Sequence, residues 1–427
     1  MKILAIETSC DETAVAIIDI RENKTKTNVS VLGNTLVSQA KIHEKYGGVF
    51  PMMAKREHAK NLTPILGQVL REAKLYKPSS NLIDCKLQTK NLGKLLSREP
   101  ELLTDLLKLL PKVKRPKIVA ITVTCGPGLE PALWVGINFG KALSLIWDIP
   151  LIPVNHMEGH LLVALLQAAD KRGLNADRRR KNSLQPTHYN LQPVNFPMLA
   201  LLISGGHTEL VLAKKWTEYR VLGATRDDAA GEAFDKVARM LSLPYPGGPQ
   251  ISALAEIART NADLTPTNAE KIQRISASIP HLSALRLPRP MINSGNFDFS
   301  FAGLKTAVLY TLKKIPKVTE EIKRAIACEF EDAVTEVLLA KSARAIEKFG
   351  ARTFALGGGV SANKRIRASF ERALKKDFPK TKLFIPTQPL TTDNAIMIGL
   401  AGYFKIKTKK ARIPLSRIRA QGNLKIG

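Results

Sequence analysis

A strand, a short polar turn and a return strand occur once near the start of the chain and again in its middle, and this repeat limits the fold more than any other feature. Residues 3–7 (ILAIE) read as an apolar strand, 8–12 (TSCDE) as a small polar turn and 14–20 (AVAIIDI) as the return strand. The pattern recurs as 198–203 (MLALLI), 204–208 (SGGHT) and 209–213 (ELVLA). One reading is two unrelated hairpins; the other is a duplicated α/β domain whose two turns face a cleft. Turns of Gly and Ser let a ligand approach the backbone and offer N–H groups to phosphate oxygens.

Further glycine turns follow strands or helices. Residues 118–124 (IVAITVT) form a buried strand ending in CGPG, with a helix expected over 132–146. Residues 353–356 end in Gly357, Gly358 and Gly359, after which Ser361 is expected to cap a helix over 362–374. PGGP at 246–249 follows a helix expected over 229–241. No segment matches the P-loop or the dinucleotide fingerprint.

Residues 153–160, PVNHMEGH, lead into an apolar run through Leu166 and read as the entry to a buried helix. His156 and His160 stand four apart, on one helix face. They are either two partly buried histidines or a pair that shares a divalent cation. Glu158 is two positions from each and so points away, and Met157 stands where a zinc protease carries its base. Among the acids, Asp228, Glu232 and Asp235 are spaced to share a helix face, which is either simply solvated or met by a cation, a ribose or backbone donors. Asp393, before an apolar helix over 395–400, is in helix N-cap position.

The net charge of +28 marks either a solvated surface with a general basic bias or a field that favours polyanions, nucleic acid first among them. Residues 171–181 hold six basic residues against Asp177, and 405–427 hold eight with no carboxylate. No apolar run approaches the roughly 18 residues of a membrane span. Four dispersed cysteines without C-x-x-C fit a reducing compartment, and the first residues enter a strand with no presequence, so a cytoplasmic protein is expected.

Taken in order, IETSCDETAVAI, YGGVFP with REH, GPGL, PVNHMEGHLL, LLISGGHTEL, DDAAGEAFDK, YPGGP, FDFSFAGLKT, GGVSAN and TDN resemble the TsaD family of tRNA N6-adenosine threonylcarbamoyltransferases, formerly called glycoproteases. The resemblance implies a duplicated actin-like, sugar-kinase and heat-shock-ATPase fold, with two lobes around a nucleotide and metal cleft. The lobes are expected at 1–150 with 400–427 and at 151–399, with inserted surface loops at 77–117, 171–196 and 260–288. It also implies one divalent metal per subunit, Fe2+ before Zn2+, on His156, His160 and Asp393. Substrate contacts would be Leu202, Ile203, Ser204, Gly205, Gly206, Asp235, Gly248 and Asn363. Asp11 and Glu12 are expected to position the incoming amine. The implied reaction moves the threonylcarbamoyl group from threonylcarbamoyl-AMP to the adenosine beside the anticodon of tRNA. The implied partners are an inactive TsaB-type paralogue and a TsaE-type ATPase, with no membrane. Departures from the family pattern are Asn155, where a histidine is common, Glu130 and Pro131 after GPGL, FPMM at 50–53 in place of a more acidic stretch, and Ala395 in place of glycine.

Overall fold

The computed structural model describes residues 1–24, 26–77, 91–169, 187–263, 286–409 and 413–427. The strands are β1 (Lys2–Glu7), β2 (Glu12–Glu22), β3 (Thr27–Ser38), β4 (Ala120–Gly126), β5 (Leu151–Asn155), β6 (Leu166–Ala168), β7 (His188–Leu191), β8 (Met198–Ile203), β9 (Thr208–Lys215), β10 (Glu218–Ala224), β11 (Thr353–Gly357) and β12 (Lys382–Phe384). The helices used below are α1 (Pro51–Glu72), α2 (Pro100–Leu109), α3 (Glu130–Trp147), α4 (His156–Val163), α5 (Ala230–Met240), α6 (Gly247–Asp263), α7 (Ala302–Lys313), α8 (Glu320–Phe349), α9 (Lys364–Asp377) and α10 (Ala395–Lys407). Among the described residues no helix is long and apolar enough to cross a membrane.

The chain divides into two compact units. The first comprises Met1–Val194, Trp216–Tyr219 and Pro386–Gly427; the second comprises Asn195–Lys215 and Arg220–Ile385. The expected boundary at 150 is therefore displaced. Residues 151–194 join the first unit because β5 pairs in parallel with β4 and β7 pairs with β3. Residues 386–399 join it because α10 packs on β1 and β2.

Each unit carries one sheet, and the two sheets share an order. The first runs β5-β4-β1-β2-β3, extended by β7 and β6; the second runs β12-β11-β8-β9-β10. In the first, β1 pairs antiparallel with β2 and parallel with β4. In the second, β8 pairs antiparallel with β9 and parallel with β11. The two sequence hairpins are thus the same element of one duplicated α/β architecture.

In the first unit, β1 and β4 are buried almost throughout, as strands covered on both faces must be. Leu4, Ile6, Val15 and Ile17 pack with Leu62, Leu66 and Val69 of α1 and with Leu133 and Ile137 of α3. The opposite face receives α10, whose close approach depends on small residues. A Cβ at Gly402 would lie 2.1 Å from Thr122 Cγ2, and one at Gly399 would lie 2.6 Å from Ile18 Cδ1. That approach sets where the segment just before α10 can reach.

Several local expectations shift. The helix begun at His156 stops at Val163 rather than running through Leu166, because Leu166–Ala168 is drawn into the sheet beside β7. Part of the 77–117 segment is core rather than surface loop. Leu92, Leu96, Leu102, Leu106 and Leu110 are buried in the first unit's cluster, with α2 carrying the amphipathic face. Likewise β7 falls within 171–196, and Leu287, within 260–288, is buried in the second unit. The remainder of these three segments, 78–90, 170–186 and 264–285, lies outside the described residues, and with it the basic cluster 171–181.

Candidate metal centre

Strand β5 passes into α4 without a loop, and Asn155 makes the junction. Its Oδ1 accepts from the backbone N–H groups of Met157 (2.9 Å) and Glu158 (3.1 Å), capping the helix. Its Nδ2 donates to the carbonyl of Lys425 at 3.1 Å. All eight residues of α4 are buried. The i, i+4 spacing brings the rings of His156 and His160 to 4.7 Å between centroids, edge to face at 90°.

The third member comes from the start of α10. The N-cap of that helix is Asn394, whose Oδ1 accepts from Met397 N at 3.0 Å. Asp393 is therefore not the cap, and its carboxylate turns to the histidines. Oδ1 lies 3.0 Å from His160 Nε2 and 3.3 Å from His156 Nε2. Oδ2 accepts from Ser9 Oγ at 3.4 Å. One donor atom from each of the three residues falls within 4.8 Å of the others. Two imidazoles and one carboxylate make a donor set suited to Fe2+ and to other borderline divalent cations. The residues present fit such an ion.

The electrostatics agree. Burial alone would push the Asp393 carboxyl up, yet His156 and then His160 hold it well below the usual range. Burial opposes a proton on His156, but the charges of Asp393 and Glu7 outweigh it and raise that imidazole well above its ordinary value. Burial keeps His160 lowered.

Sequence reading missed the surroundings. Glu7, at the end of β1 and fully buried, faces His156 Nδ1 at 3.2 Å. Thr124 of β4 donates to the same carboxylate at 2.5 Å. As one acid closing an apolar strand, Glu7 leaves no local signal, since Thr124 and His156 stand more than a hundred residues away. Glu158 is 3% exposed and receives the hydroxyl of Tyr219 at 3.1 Å, so it turns away from the metal donors as its position predicts.

Asp11, buried at the end of the turn, and Glu12, half-buried at the start of β2, lie beside this centre. Burial first, then the charges of Asp393 and Asp11, raises the Glu12 carboxyl well above its ordinary value. The turn is pinned from several sides. Gln39 N donates to Asp11 O at 2.9 Å, Leu129 N donates to Ser9 O at 2.8 Å, and His58 Nε2 meets Cys10 O at 3.0 Å. Gly128, at φ +152°, packs on Ser9 so closely that a Cβ would lie 2.6 Å from its carbonyl oxygen.

The expected substrate contacts gather in the second unit. Leu202 and Ile203 are fully buried in β8, so only their backbone is available to a ligand. Gly205 and Gly206 are exposed, with no atom within 4 Å of where a Cβ would stand, and the same open space surrounds Gly248. Gly231, in the first turn of α5, packs on Ser204, and Gly358, at φ +86°, packs on Ile203. These contacts place the 203–206 turn beside the end of β11.

Asp235 Oδ1 accepts from Gly247 N at 2.7 Å, which ties α5 to the start of α6. Asn363, not Ser361, caps the following helix, which starts at Lys364: Asn363 Oδ1 accepts from Ile366 N at 2.9 Å. Its Nδ2 donates to Glu331 Oε1 (2.6 Å) and Ser252 Oγ (2.8 Å). The carboxylate trio also resolves differently. Asp228 precedes α5, and the cation that meets Asp228 and Glu232 is Lys236, at 2.6 and 2.7 Å.

A family model described as TsaD, tRNA N6-adenosine threonylcarbamoyltransferase, matches residues 30–83, 99–180 and 181–400. A protein called tRNA N6-adenosine threonylcarbamoyltransferase from Persephonella marina is 36% identical over 419 residues, spanning 97% of this chain and 93% of its own length. Proteins of the same name from Aromatoleum aromaticum and Endomicrobium trichonymphae are each 37% identical, over 94% and 99% of this chain and 90% and 97% of their own lengths. Matched by the family model over most of its length, and by these relatives nearly end to end, the chain belongs to the TsaD family.

Proposed function

We propose that this transferase moves the threonylcarbamoyl group from threonylcarbamoyl-AMP to N6 of adenosine 37 in tRNAs reading codons that begin with adenine, forming t6A. One divalent cation, Fe2+ in first place and Zn2+ in second, would be held by His156, His160 and Asp393. The observation that carries the reading is the meeting of those three donors on one Asp393 oxygen, 3.0 and 3.3 Å from the two ring nitrogens. A bound cation would supply positive charge against the phosphate and carbonyl oxygens of the donor.

The chemistry asks for little else. The N6 lone pair is delocalised into adenine, so the acyl group must arrive activated as a mixed anhydride. N6 attacks the carbamoyl carbonyl carbon, the bond from that carbon to the phosphate oxygen breaks, AMP leaves and N6 gives up a proton. The open backbone of Gly205, Gly206 and Gly248 fits phosphate and ribose. Asp11 and Glu12 would position the amine. No acyl-enzyme is invoked. The acceptor lies in a single-stranded loop and needs no duplex melting. We place the protein in the cytoplasm with an inactive TsaB-type paralogue and a TsaE-type ATPase. A metalloprotease is disfavoured because Glu158 is spent on Tyr219 and Met157 occupies the position of the base.

The test is nucleoside analysis of tRNA incubated with the protein, those partners and the activated donor. t6A is expected with wild type and not with the double variant His156→Ala, His160→Ala. Equal t6A from that variant overturns the metal-centred reading.

A further inference from the structure

Two strand ends and one helix start meet at a single carboxylate. The Oε1 of Glu7 accepts from the backbone N–H of Ser9 at 2.5 Å. Its Oε2 accepts from Thr124 Oγ1 at 2.5 Å and faces His156 Nδ1 at 3.2 Å. Glu7, Thr124 and His160 are 0% exposed, and His156 is 6% exposed. An ionised carboxylate only accepts, and each of these three neighbours can donate to it.

The charge of the side chain sets the tautomer of His156. A glutamine that kept its oxygen on the Ser9 N–H would turn its NH2 towards Thr124 and His156; the hydroxyl can accept it, but His156 Nδ1 would then have to accept as well, which moves the ring proton to Nε2. When a neutral His156 donates Nδ1–H to Glu7, its Nε2 is left with the lone pair, and Nε2 is the nitrogen beside Asp393. His160 has no such support, for its buried Nδ1 has no hydrogen-bond partner among the described residues. The two histidines are therefore unequal. Ser9, whose backbone is bound by Glu7, also sends its Oγ to Asp393 Oδ2 at 3.4 Å.

We propose that Glu7 is the positioning residue of the metal centre: it fixes His156 as the anchored, Nε2-ligating histidine and ties the cation to the turn that carries Asp11 and Glu12. The proposal rests on the metal reading above. Partners of this kind behind a ligating histidine usually account for 10–100-fold in metal affinity.

The experiment compares full-length wild type, Glu7→Gln and His156→Ala by competition titration with Zn2+ and Co2+, with thermal unfolding in chelator as the check on folding. Expected is a 10–100-fold weaker Glu7→Gln that melts as wild type does in chelator, and a His156→Ala that is weaker still. A folded Glu7→Gln with wild-type affinity overturns the proposal alone. A wild type that binds neither cation overturns the metal reading and this proposal with it. Zinc-loaded wild type, observed by 15N NMR of its imidazoles, gives a test that needs no variant. His156 is expected to keep a proton on Nδ1, and a deprotonated Nδ1 overturns the proposal whatever the variants do.

Discussion

Oδ1 of Asp393 lies 3.0 Å from Nε2 of His160, although 233 residues separate them. The contact exists because Asn394 takes the capping role at the start of α10 and leaves the preceding acid to α4. Asp393→Asn keeps the shape and removes the charge. Loss of this ligand should weaken Zn2+ binding by more than the 10–100-fold typical of an outer partner. Chelator competition measures it, and t6A formation should fall in parallel.

Gly402 and Gly205 make a pair of opposite kind. A Cβ at 402 would be driven into Thr122, between α10 and β4, whereas at 205 it would meet nothing. Overpacking of this sort costs about 1–3 kcal/mol, less the fraction of a kcal/mol that alanine gains over glycine in a helix. Gly402→Ala should lower the urea midpoint. Gly205→Ala should leave it unchanged and instead raise the KM for the adenylate, because the added methyl stands where a phosphate would approach.

What was legible in the sequence follows from range. The paired hairpins could be read because each is an unbroken apolar run around a polar turn, and β1 with β2 and β8 with β9 form as those runs require. The His156–His160 pair could be read because it is one helical turn. The convergence of Asp393 on that pair came only from resemblance, since no local pattern separates it from Asn394 as a cap. Both are good capping types, and the choice is made by tertiary packing. Asn363 over Ser361 is the same ambiguity. Glu7 was invisible because its meaning lies in Thr124 and His156. The boundary lies beyond 150 because β5 pairs within, and α10 packs on, a sheet whose other strands are distant in sequence.

The charge of +28 predicts a tRNA affinity that falls steeply with salt. For about six phosphate contacts the loss between roughly 50 and 200 mM salt is on the order of a thousandfold. The two basic clusters should not count equally. Lys405 donates to Pro153 O at 2.9 Å and Lys407 pairs with Glu22, so both already have partners within the first unit. Neutralising the six cations of 171–181 should flatten the salt slope of tRNA binding, whereas Lys407→Gln should leave it nearly unchanged. A salt-independent wild type would remove the charge from RNA binding.

His58 predicts an acid sensitivity with a definite sign. The ring is fully buried, with Nδ1 2.8 Å from Thr13 Oγ1 and Nε2 3.0 Å from Cys10 O. Burial pushes its pKa down from 6.5 to about 4; the hydrogen bond to Cys10 and the charges of Glu7 and Asp11 pull upward without overcoming it, and His43 adds to the lowering. Between those values the unfolded chain takes up a proton that the folded chain refuses. Stability is therefore retained above about pH 6.5, falls as pH drops towards 4 and levels off below. At about 1.4 kcal/mol per pH unit the loss is on the order of 3 kcal/mol. Urea unfolding at stepped pH should show this slope in wild type and a flatter one in His58→Gln. The variant should be less stable at pH 7, because it loses a neutral ring that fits between Thr13 and Cys10. Equal slopes in the two proteins would mean that His58 is already protonated in the folded state. Its hold on the Cys10 carbonyl, and through it on the turn bearing Asp11 and Glu12, would then be that of a cation.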